Sequence, residues 1–387
     1  MPRVLLVEPP YYTRFPPLGL LKLATYHREK GDDIQFVRGF QQIESAPSTI
    51  YVTSLFTWSW KPVWDSVNYY KSKFPQAEVW LGGLYASLLP EHAKASGADH
   101  IHTGLFDDCD DLMPAYDLVP EWDGSIIYAS RGCNNRCPYC AVWRLEGNIG
   151  YLKWDIKKYI YPKHTRIYFW DNNILQAPNW KSIFNDLIEI CKERKIKVDF
   201  NQGLDARLFN EEVVDKLSKI KLMCVRLSYD SIKDKTAVIT AIELLKNKGI
   251  RGRKIIVYVL YNWNETPDDF LNKVRDVLEL GAVVFPMRYQ PLDALEKNRY
   301  ISSLWSIEKL NQFEKFRRIC GYAGTLPPYR WLQEKILKSE NFDEAFEPPP
   351  PLPDNKELKR AHRDYYSSWA RQEDWRTTTM HVIARRW

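Results

Sequence analysis

Short runs of β-branched and other apolar residues alternate with amphipathic helical segments along most of this 387-residue chain. Before residue 105, four runs are typical of strands and two longer segments are typical of helices: RVLLVEPP, DIQFVRGF, TIYVTSLF and AEVWLGG as strands, LGLLKLATYHREKG and VWDSVNYYKSKF as helices. Alternation of this kind predicts parallel strands joined by crossover helices. We therefore expect an α/β fold that begins with a Rossmann-like domain over residues 1–105.

A second series begins at residue 125, where six strand-like runs recur with helix-like segments between them: SIIYAS, RIYFWD, KVDFNQG, LMCVRLSYD, KIIVYVLYNW and AVVFPMRY. Six repeats predict a partial (β/α)6 barrel over residues 125–296, whose chemistry lies at the C-terminal ends of its strands. The acidic, turn-rich segment 106–124 is predicted to be a linker. Residues 297–387 are predicted to form a helical C-terminal extension, with a proline-rich break at 348–353 and a basic, aromatic tail.

The length exceeds what one hydrophobic core normally supports, so we expect two domains or a barrel with additions. No apolar run approaches 18 residues and no charged-then-apolar leader follows Met1, so we expect a soluble, cytoplasmic protein without a membrane partner. The net charge of +6 is unevenly distributed, since residues 121–300 sum to +7 and residues 1–120 sum to −4. This excess suits a phosphate-bearing substrate or nucleic acid, while a solvated basic surface stays the alternative.

Seven cysteines, an odd number in a chain without a secretory signal, argue against a disulfide framework. Four of them are scattered and are expected to be ordinary buried thiols: Cys109, Cys191, Cys224 and Cys320. The other three lie within eight residues, directly after the first strand of the predicted barrel: Cys133, Cys137 and Cys140. Structural zinc normally takes four ligands, and an iron–sulfur cubane normally takes four thiolates, so three leave one iron open to an outside ligand.

The spacing Cys133-x3-Cys137-x2-Cys140, with the aromatic Tyr139 before the last cysteine, resembles the CxxxCxΦC signature of the radical S-adenosylmethionine (radical SAM) superfamily. The resemblance implies a [4Fe–4S] cluster on the three cysteines and S-adenosylmethionine bound at the open iron. It also implies cleavage of the cofactor to a 5′-deoxyadenosyl radical that abstracts a substrate hydrogen, with flavodoxin or ferredoxin as the reducing partner.

The flanking sequence SRGCNNRCPYCAVWRLEG is similar to members of this superfamily that carry an N-terminal cobalamin-binding-like domain. The segments PPLGLLKLATYHREKG and WLGGLYASLLPEHAKASGADHIHTG resemble that domain, but the Asp-x-His-x-x-Gly motif that ligates cobalt in many cobalamin proteins is absent from the sequence. Three interpretations stay open: a cobalamin site, a degenerate domain that only packs on the barrel, and a substrate- or partner-binding module. We favour the degenerate domain.

The resemblance also implies roles for polar residues at the ends of the predicted barrel strands. Tyr139 would meet the adenine. Where the superfamily commonly has a Gly-Gly-Glu motif for the methionine amine, this chain has Asp171, Asn172 and Asn173, for which a plain turn is the alternative. The ribose hydroxyls and carboxylate would be held by Gln202, Arg226 and Ser228, with a buried structural ion pair as the alternative; Asn262 and Asn264 would lie near the adenine.

Arg288, at the end of the sixth strand, is expected to act with the three cysteines in catalysis by fixing an anionic group of the substrate, because a guanidinium is permanently charged and bidentate. A salt bridge closing the barrel is its alternative. We expect an enzyme that modifies a nucleobase, a nucleotide or a nucleic-acid base, as a transferase, isomerase or oxidoreductase. A cobalamin-dependent radical methylase of a small molecule or peptide is the second hypothesis, and a non-catalytic iron–sulfur interaction protein is the third.

Overall fold

A computed structural model describes residues 3–320, 324–326 and 330–348. The chain divides into two compact units, one of Met1–Asn172 with Gln290–Tyr300 and one of Asn173–Tyr289 with Ile301–Trp387. The first unit continues past the predicted linker, and the predicted domain boundaries stay predictions. The proline-rich break and the tail lie outside the described residues, apart from residue 348.

Strands occupy the positions at which apolar and β-branched residues cluster in the sequence. In chain order they are β1 (Arg3–Glu8), β2 (Asp33–Arg38), β3 (Thr49–Ser54), β4 (Glu78–Gly83), β5 (His100–Ile101), β6 (Ser125–Ile127), β7 (Arg166–Phe169), β8 (Lys197–Phe200), β9 (Val225–Tyr229), β10 (Ile255–Tyr261) and β11 (Val283–Arg288). The ten strands predicted in the sequence are therefore all found, each within the run that predicted it.

The helices follow the amphipathic segments. They are α1 (Leu18–Glu29), α2 (Trp60–Lys73), α3 (Leu84–Leu88), α4 (Pro90–Lys94), α5 (Asp107–Asp110), α6 (Val142–Leu145), α7 (Trp180–Glu193), α8 (Glu211–Lys219), α9 (Lys235–Asn247), α10 (Pro267–Glu279), α11 (Ile307–Ile319), α12 (Arg330–Lys338) and α13 (Phe342–Ala345). Local sequence fixes the start of α10, which opens on a capping box between Thr266 and Asp269 with Pro267 at its first position.

The first unit contains a five-stranded parallel sheet in the order β2-β1-β3-β4-β5. Its two faces are covered by separate apolar clusters: Leu5, Val7, Ile50 and Val52 belong to one, and Val4 and Leu6 belong to the other. Residues facing alternate sides along β1 thus build both cores, as expected for a strand buried on both faces. The same unit holds a parallel pair of short strands, β6 and β7.

In the second unit, β11, β10 and β9 form a parallel sheet in that order, and Val198 of β8 makes one parallel bridge with Leu222, which lies three residues before β9. Helix α10 packs against β10 and β11. The ring of Phe270 in α10 contacts the rings of Tyr261 in β10 and Phe313 in α11. The prediction of an α/β fold with parallel strands is confirmed. The finer arrangement, a Rossmann-like domain followed by a partial barrel, stays a prediction.

The segment predicted to be a linker contributes to the core of the first unit. Cys109, Tyr116 and Val119 are buried, and α5 lies within the segment. Its acidic composition suggested a solvated connection, but its apolar residues pack on α1. In the described residues, none of the helices is long and apolar enough to cross a membrane.

Candidate active site

The three clustered cysteines lie on a loop that starts four residues after β6 and has a closed base. Arg131 and Gly150 exchange two backbone hydrogen bonds, of 3.0 and 2.9 Å, and the Cys133 amide donates to the Gly147 carbonyl at 3.0 Å. We call residues 131–150 the cysteine loop. Cys133 is buried and the other two cysteines are half-buried, and the chain forms no disulfide with any of them.

Gly132 is required at the base of the cysteine loop. Its φ of +79° lies in the left-handed region, and a Cβ built there would overlap the carbonyl of Asn148. Its amide donates a hydrogen bond of 3.0 Å to the carboxylate of Glu146. Gly132, the residue before the first cysteine, is therefore held against Glu146 and Asn148 near the other end of the cysteine loop.

Two side chains of the cysteine loop bind the carbonyls of its cysteines. The Arg136 guanidinium donates to the Cys133 carbonyl at 3.2 Å, and the Trp143 indole donates to the Cys137 carbonyl at 3.0 Å. The Cys140 amide also donates to the Cys137 carbonyl, at 3.1 Å, which makes a tight turn around Tyr139. These hydrogen bonds set the backbone from which the thiols project.

The donor set fits an iron–sulfur cluster in kind, since three thiols outside disulfides share one short loop, and it leaves one iron of a cubane without a thiolate. The side chains are not gathered around a metal position. Among the residues that the structure describes, no group of three or more His, Cys, Asp or Glu side chains is placed to hold a metal ion.

Asp171, two residues beyond β7, holds the segment that follows β6. Its carboxylate accepts hydrogen bonds from the amides of Ala129 and Ser130, at 2.9 and 2.6 Å, and from the Ser130 hydroxyl at 2.7 Å. Burial raises the pKa of Asp171 to about 6, although these three donors act in the opposite direction. Both of its oxygens thus bind the segment that leads into the cysteine loop, and its predicted contact with the methionine amine stays a prediction.

The two asparagines after Asp171 bind other acids. The Asn172 amide donates to Glu146 of the cysteine loop at 2.9 Å. The buried Asn173 amide donates to Asp205 at 3.0 Å, so it belongs to the second unit's own hydrogen bonds. All three polar side chains of this segment make specific hydrogen bonds, and the cofactor role and the plain-turn alternative both stay predictions.

A buried ion cluster lies beside the base of the cysteine loop and was missed in the sequence. Asp110, in the predicted linker, accepts from the Arg131 guanidinium at 2.5 Å, from Lys22 of α1 at 3.2 Å and from Lys153 at 3.4 Å. All four side chains are at most 10% exposed. Burial alone would raise the pKa of Asp110, but the three cations hold it well below its ordinary value.

In the second unit, Arg226 forms a buried ion pair. Its Nε and one terminal nitrogen donate to the two oxygens of Asp199, both at 2.7 Å, and its other terminal nitrogen donates to the Tyr258 hydroxyl at 2.7 Å. Both charged side chains are 1% exposed. The structural alternative kept open for Arg226 is therefore present, and its predicted contact with the cofactor stays a prediction.

The remaining predicted site residues of the second unit differ in exposure. Gln202, Ser228 and Asn264 are exposed, and Arg288 is half-buried at the end of β11. Asn262 is buried, has a left-handed φ of +59° and accepts a hydrogen bond of 3.0 Å from the amide of Ser302. Asn262 thus shapes the turn after β10, and none of these roles toward a cofactor or substrate is tested by the fold.

No family model and no curated protein matches this chain. Among solved structures, coproporphyrinogen III oxidase (HemN) from Escherichia coli, described as a radical SAM enzyme, aligns with a TM-score of 0.32 at 13% identity over 48% of this chain. The alignment spans about half of that enzyme, 49% of its length. A galactofuranose-binding protein aligns with a TM-score of 0.19 at 12% identity, covering 76% of this chain and 85% of that one. Similarity at this level carries no argument about fold or function.

Proposed function

We propose that this protein is a radical SAM enzyme. The observation that carries the proposal is the cysteine loop itself: three thiols in the CxxxCxΦC spacing, on a loop that follows a parallel strand and is closed at its base. Chemistry at the C-terminal ends of parallel strands is the usual arrangement in α/β enzymes. The backbone around the sulfurs is held by hydrogen bonds from Arg136 and Trp143.

Cys133, Cys137 and Cys140 would hold a [4Fe–4S] cluster, and S-adenosylmethionine would bind at its open iron with Tyr139 against the adenine. When bound, the cluster and S-adenosylmethionine together would supply the chemistry that generates a 5′-deoxyadenosyl radical. The chain's own residues position the loop: Asp171 fixes the segment before it, and Glu146 receives hydrogen bonds from Gly132 and Asn172 across it. A reducing partner such as flavodoxin or ferredoxin would supply the electron.

The test is anaerobic reconstitution with iron and sulfide, followed by counting of iron, electron paramagnetic resonance of the reduced protein, and assay of 5′-deoxyadenosine after addition of S-adenosylmethionine. We expect about four irons per chain and 5′-deoxyadenosine from the native protein. Cys133→Ala should lose both signals. Cys191→Ala is the matched control, because it removes a half-buried thiol of the second unit and should change neither.

A protein that binds the cluster yet yields no more 5′-deoxyadenosine than Cys133→Ala would favour the non-catalytic iron–sulfur hypothesis. Failure of the native protein and Cys191→Ala to retain iron would refute the proposal altogether. Retention of hydroxocobalamin, seen as a corrinoid absorption band after gel filtration, would favour the cobalamin-dependent methylase.

For the substrate, we propose a nucleobase or nucleotide, free or within nucleic acid. The support is the net charge of +7 over residues 121–300, which favours phosphate-bearing ligands. Arg288 would fix an anionic group of that substrate. Gel-shift titrations with DNA and RNA across a range of salt concentrations distinguish polymers from free nucleotides, because polymer binding must weaken steeply with salt.

A further inference from the structure

The exposed charge of the cysteine loop is entirely positive. Of its four charged residues, Arg131 is buried against Asp110, and the Glu146 side chain is 15% exposed and accepts two hydrogen bonds within the first unit. The other two, Arg136 and Arg144, are exposed. A molecule that approaches residues 131–150 therefore meets two cations and no exposed carboxylate of this loop.

The two exposed arginines lie close together and are held in place. Both guanidinium groups lie over the ring of Trp143, with the central carbon 5.6 Å from its centroid for Arg136 and 5.1 Å for Arg144. Arg136 also donates to the Cys133 carbonyl at 3.2 Å. Arg144 donates to the Pro138 carbonyl at 3.4 Å. Side chains that are already positioned in this way lose less conformational freedom when a partner binds.

Both arginines keep donors and charge for a further ligand. Within the part of the chain that the structure describes, neither Arg136 nor Arg144 forms an ion pair. A guanidinium carries five N–H donors in a planar fork that fits a carboxylate, and each of these arginines uses at most two of its nitrogens within the loop. The pair therefore presents uncompensated positive charge to an acidic partner.

Exposed aromatic rings follow directly after the base of the cysteine loop. Tyr151 and Trp154 are each 58% exposed, which places them among the three most exposed large hydrophobic side chains that the structure describes. Tyr151 also has a φ of +48°, a left-handed conformation that is unfavourable for a bulky residue. Strain of this kind is typical of functional positions, and Tyr, Trp and Arg are enriched at protein interfaces. Further along, the exposed charges are mixed, with Asp155 near Lys157 and Lys158.

We propose that Arg136, Arg144 and Tyr151 form a docking surface for an acidic electron-carrier protein. The inference rests on the proposed function, in which an electron must reach a cluster held by this same loop. Electron transfer weakens steeply with distance, so the carrier has to dock against the loop that holds the cluster ligands. Electron carriers form small, transient interfaces, and complementary charge speeds their encounter.

Nucleic acid is a less suitable occupant of this surface. A strand of RNA or DNA binds through a row of cations that neutralises successive phosphates. The cysteine loop exposes two cations, which matches a small patch of carboxylates better than a strand. The two occupants also differ in what they would do here, because a protein carrier can deliver an electron to the loop.

The first measurement is calorimetric titration of the full chain, without added iron, with oxidised flavodoxin as the acidic carrier. A single-stranded RNA oligonucleotide is titrated separately. We expect flavodoxin to bind, and added salt to weaken its binding because exposed charges are screened. Arg144→Glu should weaken binding at least about tenfold, because like charges then meet across the interface, and Arg144→Lys should retain most of the affinity.

Lys73→Glu is the matched control for Arg144→Glu. It reverses another exposed cation of the first unit, whose amine lies 4.3 Å from the ring centroid of Tyr69 at the end of α2. Tyr151→Asn tests the ring without adding strain, since asparagine tolerates a left-handed φ. Its Tm should be no lower than that of the native protein, while its affinity for flavodoxin should fall about tenfold because an aromatic anchor is lost.

The second measurement compares two reductants on the reconstituted protein. The yield of 5′-deoxyadenosine is measured with dithionite and with flavodoxin kept reduced by NADPH and flavodoxin reductase. The ratio of the two yields removes any effect of a variant on cluster assembly. Arg144→Glu should lower the ratio of flavodoxin-driven to dithionite-driven yield at least about tenfold, and Lys73→Glu should leave it unchanged.

Weaker flavodoxin binding and a lower yield ratio in Arg144→Glu, with Lys73→Glu unaffected, support the proposal. The absence of flavodoxin binding, binding or a yield ratio that Arg144→Glu does not change, or binding of the RNA in place of flavodoxin would each overturn it and leave the proposed function intact. The absence of 5′-deoxyadenosine with dithionite would refute the proposed function, and the docking surface with it.

Discussion

Replacing Asp110 by asparagine tests whether the buried ion cluster holds the first unit together. The change keeps the shape of the side chain but removes the charge that Lys22, Arg131 and Lys153 share. Leaving buried charges without their partner typically costs 3–5 kcal/mol, and the asparagine oxygen still accepts one hydrogen bond, so we expect a loss of about 3 kcal/mol in the free energy of unfolding. For a unit of this size that corresponds to a fall in Tm of roughly 6–12 °C.

The assay is urea and thermal unfolding followed by circular dichroism at pH 7. Asp111→Asn is the matched control. The Asp111 carboxylate binds the same Lys153 at 2.6 Å, but the Asp111 side chain is 80% exposed, so the expected loss in the free energy of unfolding is below about 1 kcal/mol. Since the pKa of Asp110 is lowered by folding, its contribution is present above its ordinary pKa near 4 and is lost as the pH falls further. Equal losses for the two variants at pH 7 would refute the argument.

Three further outcomes are expected. Folding raises the pKa of Asp171 to about 6, so its contribution to stability is largest below about pH 4 and falls as the pH rises to 6. The free energy of unfolding of the native protein, relative to that of Asp171→Asn, should therefore decline by about 2–3 kcal/mol across that window. A difference that stays constant with pH in urea titrations would contradict this. Arg226→Met leaves Asp199 buried without its ion pair and should cost about 3–5 kcal/mol in the same assay; a loss under about 1 kcal/mol would mean that the pair is not buried in solution. Gly132→Ala should abolish iron retention on reconstitution while the far-ultraviolet spectrum is kept, because its Cβ overlaps Asn148, whereas Gly147→Ala, with a similar positive φ but open space, should retain iron at least in part.

The fold follows from local sequence to a large extent. Runs such as RVLLVE and IIVYVLY have the β-branched, continuous apolar character of strands buried on both faces, so their positions and parallel pairing were predictable. The cysteine loop was predictable for a similar reason, because three cysteines and the strand before them are adjacent in the chain.

The partners of the charged site residues were not predictable from the sequence. Asp110 lies in an acidic run that suggested solvent exposure, and its cations are 88, 21 and 43 residues away in the chain. The 27-residue separation of Arg226 from Asp199 likewise leaves no local signal. Periodicity places a side chain on a face of a strand, but it does not say which charge on the next strand it will meet.

The closed base of the cysteine loop has an entropic consequence. Joining the ends of a flexible loop of about 20 residues costs roughly 2.7 kcal/mol in chain entropy, before any constant. Here the hydrogen bonds between Arg131 and Gly150, together with the packing of Gly132 against Asn148, offset that loss of entropy when the chain folds. Because these contacts close the base of the loop without a metal, loss of one thiol should weaken metal binding without opening the loop.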